Sequence, residues 1–284
     1  MGRHATPLPW PRGVLALAIA ASVALIWPPA RAERLDPEPR LREILRELAR
    51  VDAFYQDNAL RFTCDERVIH STDRGDRSFR YKYIFVYDDD GQLSDHRVPQ
   101  GRTRDERADY TVVDRAYTWI SIFQPAKWGV SYRYLLGGEA KVLDRPAMAV
   151  RFEPLPPYLP EYNEWYGTAW VDVESHQLLR VEALKVSDHL RQQSFEQSLR
   201  DAAQAAGTHQ SSHLIERYLT DYTVERNGIR FPTEVTIERS RFQVWGRNGN
   251  SGYREYPVLR IRQLYDNYRF FGVQTREEIR GAAD

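Results

Sequence analysis

Two short motifs in the sequence have residue types that can hold a metal ion. Asp88-Asp89-Asp90-Gly91 sets three carboxylates before a glycine, but the alternating ligands and the distal glutamate of an EF-hand are absent. His209 and His213 have a four-residue spacing that can chelate zinc from a helix, but no third ligand lies nearby in sequence. We interpret the first motif as a hairpin turn and the second as part of a solvated loop leading into a strand. We predict no metal and no other cofactor.

No motif nominates a catalytic residue. The sequence contains no GxSxG elbow for a nucleophilic serine, no GxGxxG or P-loop for phosphates, and no HExxH for zinc. Cys64 is the only cysteine, which excludes an intramolecular disulfide and a zinc site built on several thiolates. Its neighbours Phe62 and Thr63 are typical of a strand, so a buried structural side chain is favoured over a redox thiol. We predict that the protein is not an enzyme.

The composition is that of a β-rich globular protein. Aromatic residues make up 12% of the 284 residues and charged residues 28%, with 40 basic against 40 acidic side chains. Because the chain is near-neutral and has no long basic run, nucleic acid and anionic membranes are poor candidates as partners. A chain of this length can bury roughly 70–75% of its unfolded surface, so its core needs neither a disulfide nor a metal.

Residues 1–32 have the order of a cleaved secretory signal. Basic residues precede the fifteen-residue run Gly13–Trp27, which is apolar except for one serine, and Ala30-Arg31-Ala32 places small residues where a signal peptidase reads. The run is short of the ~20 residues that a membrane span needs, so cleavage is favoured over an anchor. We predict that residues 33–284 form one soluble periplasmic domain without a transmembrane span. This domain has 37 basic and 40 acidic residues, a net charge of −3.

One amphipathic helix is predicted to open the mature chain. Asp36 and Pro37 suit a helix cap and a first turn. Six apolar residues then fall on one helix face: Leu41, Ile44, Leu45, Leu48, Val51 and Tyr55. A stripe of this width must pack against another element. Two later segments, Thr111–Phe123 and Asp188–Ala206, are predicted helical inserts.

From Leu60 onward the apolar pattern changes to the two-residue period of β-strands. The predicted strands are Phe79–Tyr87, Leu93–Val98, Val130–Leu136, Met148–Phe152, Trp165–Val173, Gln177–Lys185, His213–Glu225, Ile229–Val244, Tyr256–Phe270 and Val273–Ile279. Asn227-Gly228 is the strongest two-residue hairpin signal in the chain. Short turns between successive strands predict an antiparallel sheet, and about ten strands of this length would curve strongly or close partly into a barrel. The predicted fold class is therefore α+β: a strongly curved antiparallel sheet, or unclosed β-barrel, with an N-terminal amphipathic helix and one or two helical inserts.

Aromatic and aliphatic side chains at alternating strand positions predict one apolar face of the sheet. For any single residue a packed core is the ordinary interpretation. A concave face of this size with few helices to cover it can, however, enclose a cavity. The residues predicted to line a hydrophobic ligand cavity are Tyr81, Tyr83, Phe85, Tyr132, Tyr134, Met148, Val150, Phe152, Val235 and Ile237.

Several segments carry a resemblance to a known family: Phe62-Thr63-Cys64, Tyr81–Tyr87, Lys141–Pro154, Trp165–Asp172, Leu178–Glu182 and Tyr265–Phe270. Together with the signal peptide, the helix and the antiparallel meander, they resemble the LolA/LolB-like lipoprotein carriers. The likeness is greatest to the exported proteins labelled outer-membrane lipoprotein-sorting proteins. The resemblance implies an unclosed barrel, capped by helices, whose apolar interior holds acyl chains or another hydrophobic ligand.

The leading functional hypothesis is a non-enzymatic periplasmic carrier for a lipid or a lipoprotein acyl chain in cell-envelope maintenance. The alternative is an envelope interaction or sensor module of the same fold, which binds a protein partner and has a filled core. Neither hypothesis involves nucleic acid.

Overall fold

The computed structural model describes residues 38–57, 62–72, 75–87, 93–101, 118–159, 164–205, 207–226, 228–248 and 250–270. Within these ranges the chain forms helices α1 (Pro39–Asp57) and α2 (Val186–Gln204) and two 3-10 helices, Thr118–Phe123 and Pro125–Lys127. The strands are β1 (Phe62–Thr72), β2 (Gly75–Tyr87), β3 (Leu93–Pro99), β4 (Tyr132–Val142), β5 (Arg145–Pro154), β6 (Trp165–Asp172), β7 (Leu178–Lys185), β8 (Thr208–Asp221), β9 (Val224–Arg226), β10 (Ile229–Phe231), β11 (Glu234–Arg247) and β12 (Asn250–Phe270).

Ten of the strands form one antiparallel sheet in the order β3-β2-β1-β12-β11-β8-β7-β6-β5-β4. Most neighbours in this order are also neighbours along the chain, because short turns join them. The long strand β12 pairs with β11 and closes back onto β1, so it unites the beginning and the end of the described chain. The outermost strands β3 and β4 do not pair with each other, and the predicted α+β fold with an unclosed antiparallel sheet is confirmed.

The hairpin predicted at Asn227-Gly228 is present. Strands β9 and β10 pair antiparallel with Arg226 opposite Ile229, which leaves a two-residue connection. Gly228 in that connection has a φ of +75°, a conformation that glycine adopts without steric cost. Asn227 lies outside the described residues.

Helix α1 covers one face of the sheet. Five of the six residues predicted for its apolar stripe are buried: Leu41, Ile44, Leu45, Leu48 and Val51. The side chain of the sixth, Tyr55, lies outside the described residues. The five join one cluster with side chains from strands near both ends of the sheet, including β2 and β5, so the sheet curves around them. We call the face that contributes to this cluster the inner face.

The opposite, outer face of the same strands carries paired charges. Arg180 donates from Nε to Oδ1 of Asp221 at 2.6 Å, and Arg262 donates from Nε to Oε1 of Glu234 at 2.6 Å, each across a strand pair. Lys82 pairs with Asp65 in the same way. These side chains alternate with inner-face residues along their strands, so the outer face carries these charge pairs and most inner-face residues are apolar.

Two sequence predictions are wrong, and several others concern residues outside the described ranges. The segment that contains His209 and His213 is not a loop, because β8 begins at Thr208 and includes both residues. The described end of the predicted helix Thr111–Phe123 is a 3-10 helix that begins at Thr118. Helix α1 begins at Pro39, and the predicted cap residues Asp36 and Pro37 lie outside the described residues. The same is true of three other predicted segments: residues 1–32, Asp88–Gly91 and Val273–Ile279. Among the helices that the structure describes, none combines the length and apolar character needed to cross a bilayer.

Candidate functional site

The structure brings the predicted cavity residues together on the inner face. Eight of them are buried in the single large cluster: Tyr83, Tyr132, Tyr134, Met148, Val150, Phe152, Val235 and Ile237. Tyr81 is partly buried and packs against the same cluster. Phe85 lies in β2, but its side chain is outside the described residues. The alternating aromatic pattern thus identified side chains that meet in space, although their strands are far apart in sequence.

Small residues lie at the middle of the inner face. Gly167 and Ala169 on β6 pair with Ala183 and Val181 on β7, and all four share this face. A Cβ atom at Gly167 would lie 2.4 Å from the Phe152 ring, so the ring lies directly across the glycine. The absence of a side chain at Gly167 therefore gives the Phe152 ring the space that it occupies.

The 3-10 helix Thr118–Phe123, which we call the plug, contributes side chains to the inner-face cluster. Its side chains Trp119, Ile120, Ile122 and Phe123 are all buried. The Trp119 ring centroid lies 4.7 Å from that of Trp165, and the Phe123 ring centroid lies 5.9 Å from that of Phe152. The plug therefore packs on aromatic side chains of the sheet.

Polar contacts link the plug and the residue after it to β4, to Trp128 and to α1. The Tyr134 hydroxyl donates to the Ile122 carbonyl, and Trp128 Nε1 donates to the Phe123 carbonyl at 2.8 Å. Gln124, which follows the plug, donates from Nε2 to Oδ2 of Asp52 on α1 at 2.9 Å. A 3-10 helix has poorer hydrogen-bond geometry than an α-helix and rarely extends beyond a few residues. The backbone hydrogen bonds of the plug are therefore weaker than those of an α-helix.

The buried tyrosines of the inner face remain neutral phenols. Burial raises the pKa of Tyr132 to about 12, and it also raises the pKa values of Tyr134 and Tyr218. None of these hydroxyls is therefore poised to act as a base near neutral pH. They act as hydrogen-bonding groups, as when Tyr132 accepts from the Trp165 amide at 3.3 Å.

Three buried polar atoms at the inner face have no hydrogen-bond partner in the described chain: Thr220 Oγ1, Gln263 Oε1 and Trp119 Nε1. Val235 on β11 pairs with Thr220 on one side and Gln263 on the other, so these two side chains flank it on the same face. An unsatisfied buried polar group costs about 1–3 kcal/mol, so native proteins rarely keep one without a purpose.

A complete inner-face row shows how unusual these polar positions are. The row crosses nine strands: Phe79, Val68, Gln263, Val235, Thr220, Val181, Ala169, Val150 and Leu136. Every member except Thr220 and Gln263 is apolar. Sequence analysis did not select these two residues, although Gln263 alternates with the apolar Ile261 and Tyr265. A polar residue in the alternating series of apolar residues is the sequence feature that could have identified Gln263.

Gln263 also belongs to a buried ion-pair network. Arg97 on β3 donates to Glu66 from Nε at 2.6 Å and from Nη2 at 3.1 Å, and Gln263 Nε2 donates to the same carboxylate at 3.3 Å. The Arg97 guanidinium lies 5.2 Å from the centroid of the Tyr83 ring. This network fixes the Gln263 amide, so its unpartnered oxygen has a defined position.

The other sequence candidates do not form a chemical site. His213 contacts the hydroxyls of Ser198 and Ser211 at 3.1 Å, and its ring packs against Phe195. In an extended strand His209 and His213 are roughly 13 Å apart, too far to share a metal. Within the described ranges no three His, Cys, Asp or Glu residues cluster closely enough to hold a metal ion. Cys64 is buried in β1, as predicted.

Comparison with known proteins finds similar structures at low sequence identity. No family model and no curated protein matches it. A crystal structure of a DUF1329 family protein from Desulfovibrio piger aligns with 88% of this chain and 99% of that one, at 12% identity and a TM-score of 0.46. A putative outer membrane lipoprotein-sorting protein domain from Vibrio parahaemolyticus aligns with 85% and 98%, at 9% identity and a TM-score of 0.42. A LolA superfamily protein from Nitrosomonas europaea aligns with 83% and 95%, at 10% identity and a TM-score of 0.37. The chain is similar to these proteins in fold.

Proposed function

We propose that this protein is a non-enzymatic periplasmic binding protein that holds a hydrophobic molecule, a lipid or the acyl chain of a lipoprotein, between the inner face and helix α1. The observation that carries the proposal is the set of unpartnered polar atoms of Thr220, Gln263 and Trp119 within an apolar interior. A core selected for packing alone gains from an apolar residue at each such position. A binding site keeps polar groups there to orient its ligand.

The three polar atoms limit the chemistry of the ligand. The indole Nε1 of Trp119 can only donate, the amide oxygen of Gln263 can only accept, and the hydroxyl of Thr220 can do both. A ligand that satisfies them has an apolar body and a polar group with at least one donor, such as an amide-linked acyl chain or a lipid with a free hydroxyl. A plain hydrocarbon would leave all three atoms without partners.

Ligand entry requires the plug to move. Trp119 and Phe123 are buried in the same inner-face cluster as Val150 and Phe152, so an acyl chain that enters this cluster competes with the plug for volume. Because 3-10 hydrogen bonds have poorer geometry than those of an α-helix, displacing the plug costs less than opening a packed α-helix of the same length.

The alternative function is an envelope interaction or sensor module that binds a protein partner. The filled interior favours it: the described side chains of the plug, including Trp119 and Phe123, are already buried, as in a finished core. In that case the sheet is a scaffold and its interior binds nothing.

Thr220→Val separates the two functions. Valine has nearly the same shape but no hydroxyl, so the free energy of unfolding of the ligand-free protein should stay the same or rise by up to about 1 kcal/mol. Affinity for an environment-sensitive probe with an amide-linked acyl chain should fall about fivefold, because the ligand loses one hydrogen bond. Fluorescence titration and urea unfolding measure the two quantities.

Thr236→Val is the matched control. Thr236 lies on the outer face of β11, where its hydroxyl donates to Glu234 at 3.2 Å. Its replacement should leave probe affinity unchanged. If the wild type binds no probe, or if both variants lose affinity equally, the interior is not the binding site and the interaction module is the better account.

A further inference from the structure

Strands β8, β11 and β12 extend beyond the rest of the sheet as a three-stranded ribbon. Strand β7 pairs with β8 only at Tyr218–Asp221, and β1 pairs with β12 only from Arg260 onward. Residues 208–215, 240–247 and 250–257 therefore pair only with one another. At about 3.3 Å per residue this ribbon, defined by these three ranges, is roughly 25 Å long.

Helix α2 covers one face of the ribbon. Phe195 on α2 packs against Phe242 and Tyr253, with ring centroids 4.9 and 5.4 Å away. A Cβ atom at Gly246 would lie 2.3 Å from the Ala202 carbonyl oxygen, so helix and strand backbones meet there. Phe242 and Gly246 have even numbers, whereas the inner-face residues of β11, such as Ile237, have odd numbers. Helix α2 thus lies on the continuation of the outer face.

The other face of the ribbon, which continues the inner face, is open. Its exposed apolar residues are Leu214, Trp245 and Tyr256, with 39%, 49% and 38% of their surface accessible. The Trp245 indole lies flat on the strand, because a Cβ atom at Gly252 would be 2.7 Å from its ring. Aromatic side chains so exposed on a flat sheet face are suited to contact another surface.

The charges on this open face have a single sign. Arg241, Arg247 and Arg254 are exposed there, and no ion pair among the described residues includes any of them. The strand register places no aspartate or glutamate among the open-face residues, since Glu255 pairs with Phe242 on the side of α2. The near-neutral net charge of the whole chain does not reveal this basic patch, because acidic and basic residues lie on different faces of the ribbon.

We infer that the open face of the ribbon docks onto the surface of an anionic phospholipid bilayer. Tryptophan and tyrosine prefer the boundary between headgroups and acyl chains, and arginine is attracted to anionic headgroups. This inference does not depend on ligand binding in the interior.

Vesicle co-sedimentation tests the inference with Arg241→Ser/Arg254→Ser. Wild type should bind vesicles that contain phosphatidylglycerol, should not bind vesicles of phosphatidylcholine alone, and should dissociate at high salt. Each arginine near an anionic surface contributes enough for roughly a fivefold change, so the double variant should partition about thirtyfold less. The matched control is Arg46→Ser/Arg50→Ser on the exposed side of α1, which removes the same charge and should change partitioning less than twofold.

A second readout locates the contact. Lipids brominated near the headgroup should quench part of the tryptophan fluorescence of wild type, and Trp245→Phe should abolish most of that quenching. Thr220→Val should bind vesicles as wild type does, which separates docking from ligand uptake. The inference is wrong if wild type does not bind anionic vesicles, if the ribbon and control variants lose binding equally, or if Trp245→Phe leaves quenching unchanged.

Discussion

Strands β8, β11 and β12 belong both to the ribbon and to the part of the sheet whose inner face is buried, which we call the covered half. In the two regions these strands bury opposite faces. In the first part of β11, Val235 and Ile237 are buried under helix α1 and the plug, whereas their neighbour Glu234 faces solvent in an ion pair. Farther along the strand, Phe242 and Val244 are buried under α2, and Trp245 is exposed. The buried positions change from odd to even, although the pairing of β8 with β11 continues without a bulge. The helix that packs on each part of the strand therefore determines which face is buried. In the ribbon the continuation of the inner face is exposed to solvent.

The largest expected effect compares one aromatic residue from each region. Phe152 is fully buried across Gly167, and Phe152→Ala should lower the free energy of unfolding by about 3–5 kcal/mol, because it leaves a cavity in the packed half. Trp245→Ala on the open ribbon should cost less than about 1 kcal/mol. Urea unfolding of both variants measures the difference. Equal losses would contradict the division into a covered and an open region.

A smaller effect depends on pH and belongs to the covered half. Burial favours protonation of Asp172, but the Arg145 guanidinium and the amides of Ser175 and Glu174 outweigh it and lower the pKa of Asp172 to about 2. The unfolded value is about 3.9, so Asp172 contributes stability above about pH 4 and loses it as pH falls toward 2. Asp172→Asn should therefore cost about 2–3 kcal/mol at pH 7 and much less at pH 2.5.

Urea midpoints of wild type and Asp172→Asn, measured from pH 7 to pH 2.5, check this prediction. The gap between the two proteins should narrow as the pH falls. A gap that stays constant over this range would show that the carboxylate's charge does not stabilise the turn after β6.

The smallest effect concerns the attachment of α2 to the ribbon. Phe195→Ala removes the ring that packs against Phe242 and Tyr253 and should cost about 2 kcal/mol, because Phe195 is only partly buried. Hydrogen exchange should become faster in residues 240–247 and 250–257 and stay unchanged in β5 and β6. Leu190→Ala, on the exposed side of α2, is the control and should change neither region.

The sequence predicted the covered half better than the ribbon for a physical reason. Alternation is clear where one face is always buried, as at Phe79, Tyr81 and Tyr83, so the inner face could be read residue by residue. In Ile229–Val244 the alternation changes phase between Ile237 and Phe242, and this shift is visible only once α2 is known to pack there. For the same reason the segment of His209 and His213, which has no apolar alternation, was interpreted as a loop.

The candidate site was predicted in its apolar part and missed in its polar part. Periodicity selects hydrophobic residues, so it found Val150, Phe152 and Val235 and passed over Thr220 and Gln263, whose inward positions follow from strand register. The plug could not be found by periodicity either, because six residues of 3-10 helix are too short to show a period.

Native mass spectrometry of the protein purified from its host's cell envelope tests the central claim most directly, because it shows whether the interior carries a hydrophobic molecule. We expect a species with the mass of one bound lipid or acylated molecule, and Thr220→Val should retain less of it than Thr236→Val does. A spectrum that contains only the mass of the bare chain, under conditions that preserve a known lipid carrier with its lipid, would contradict the account.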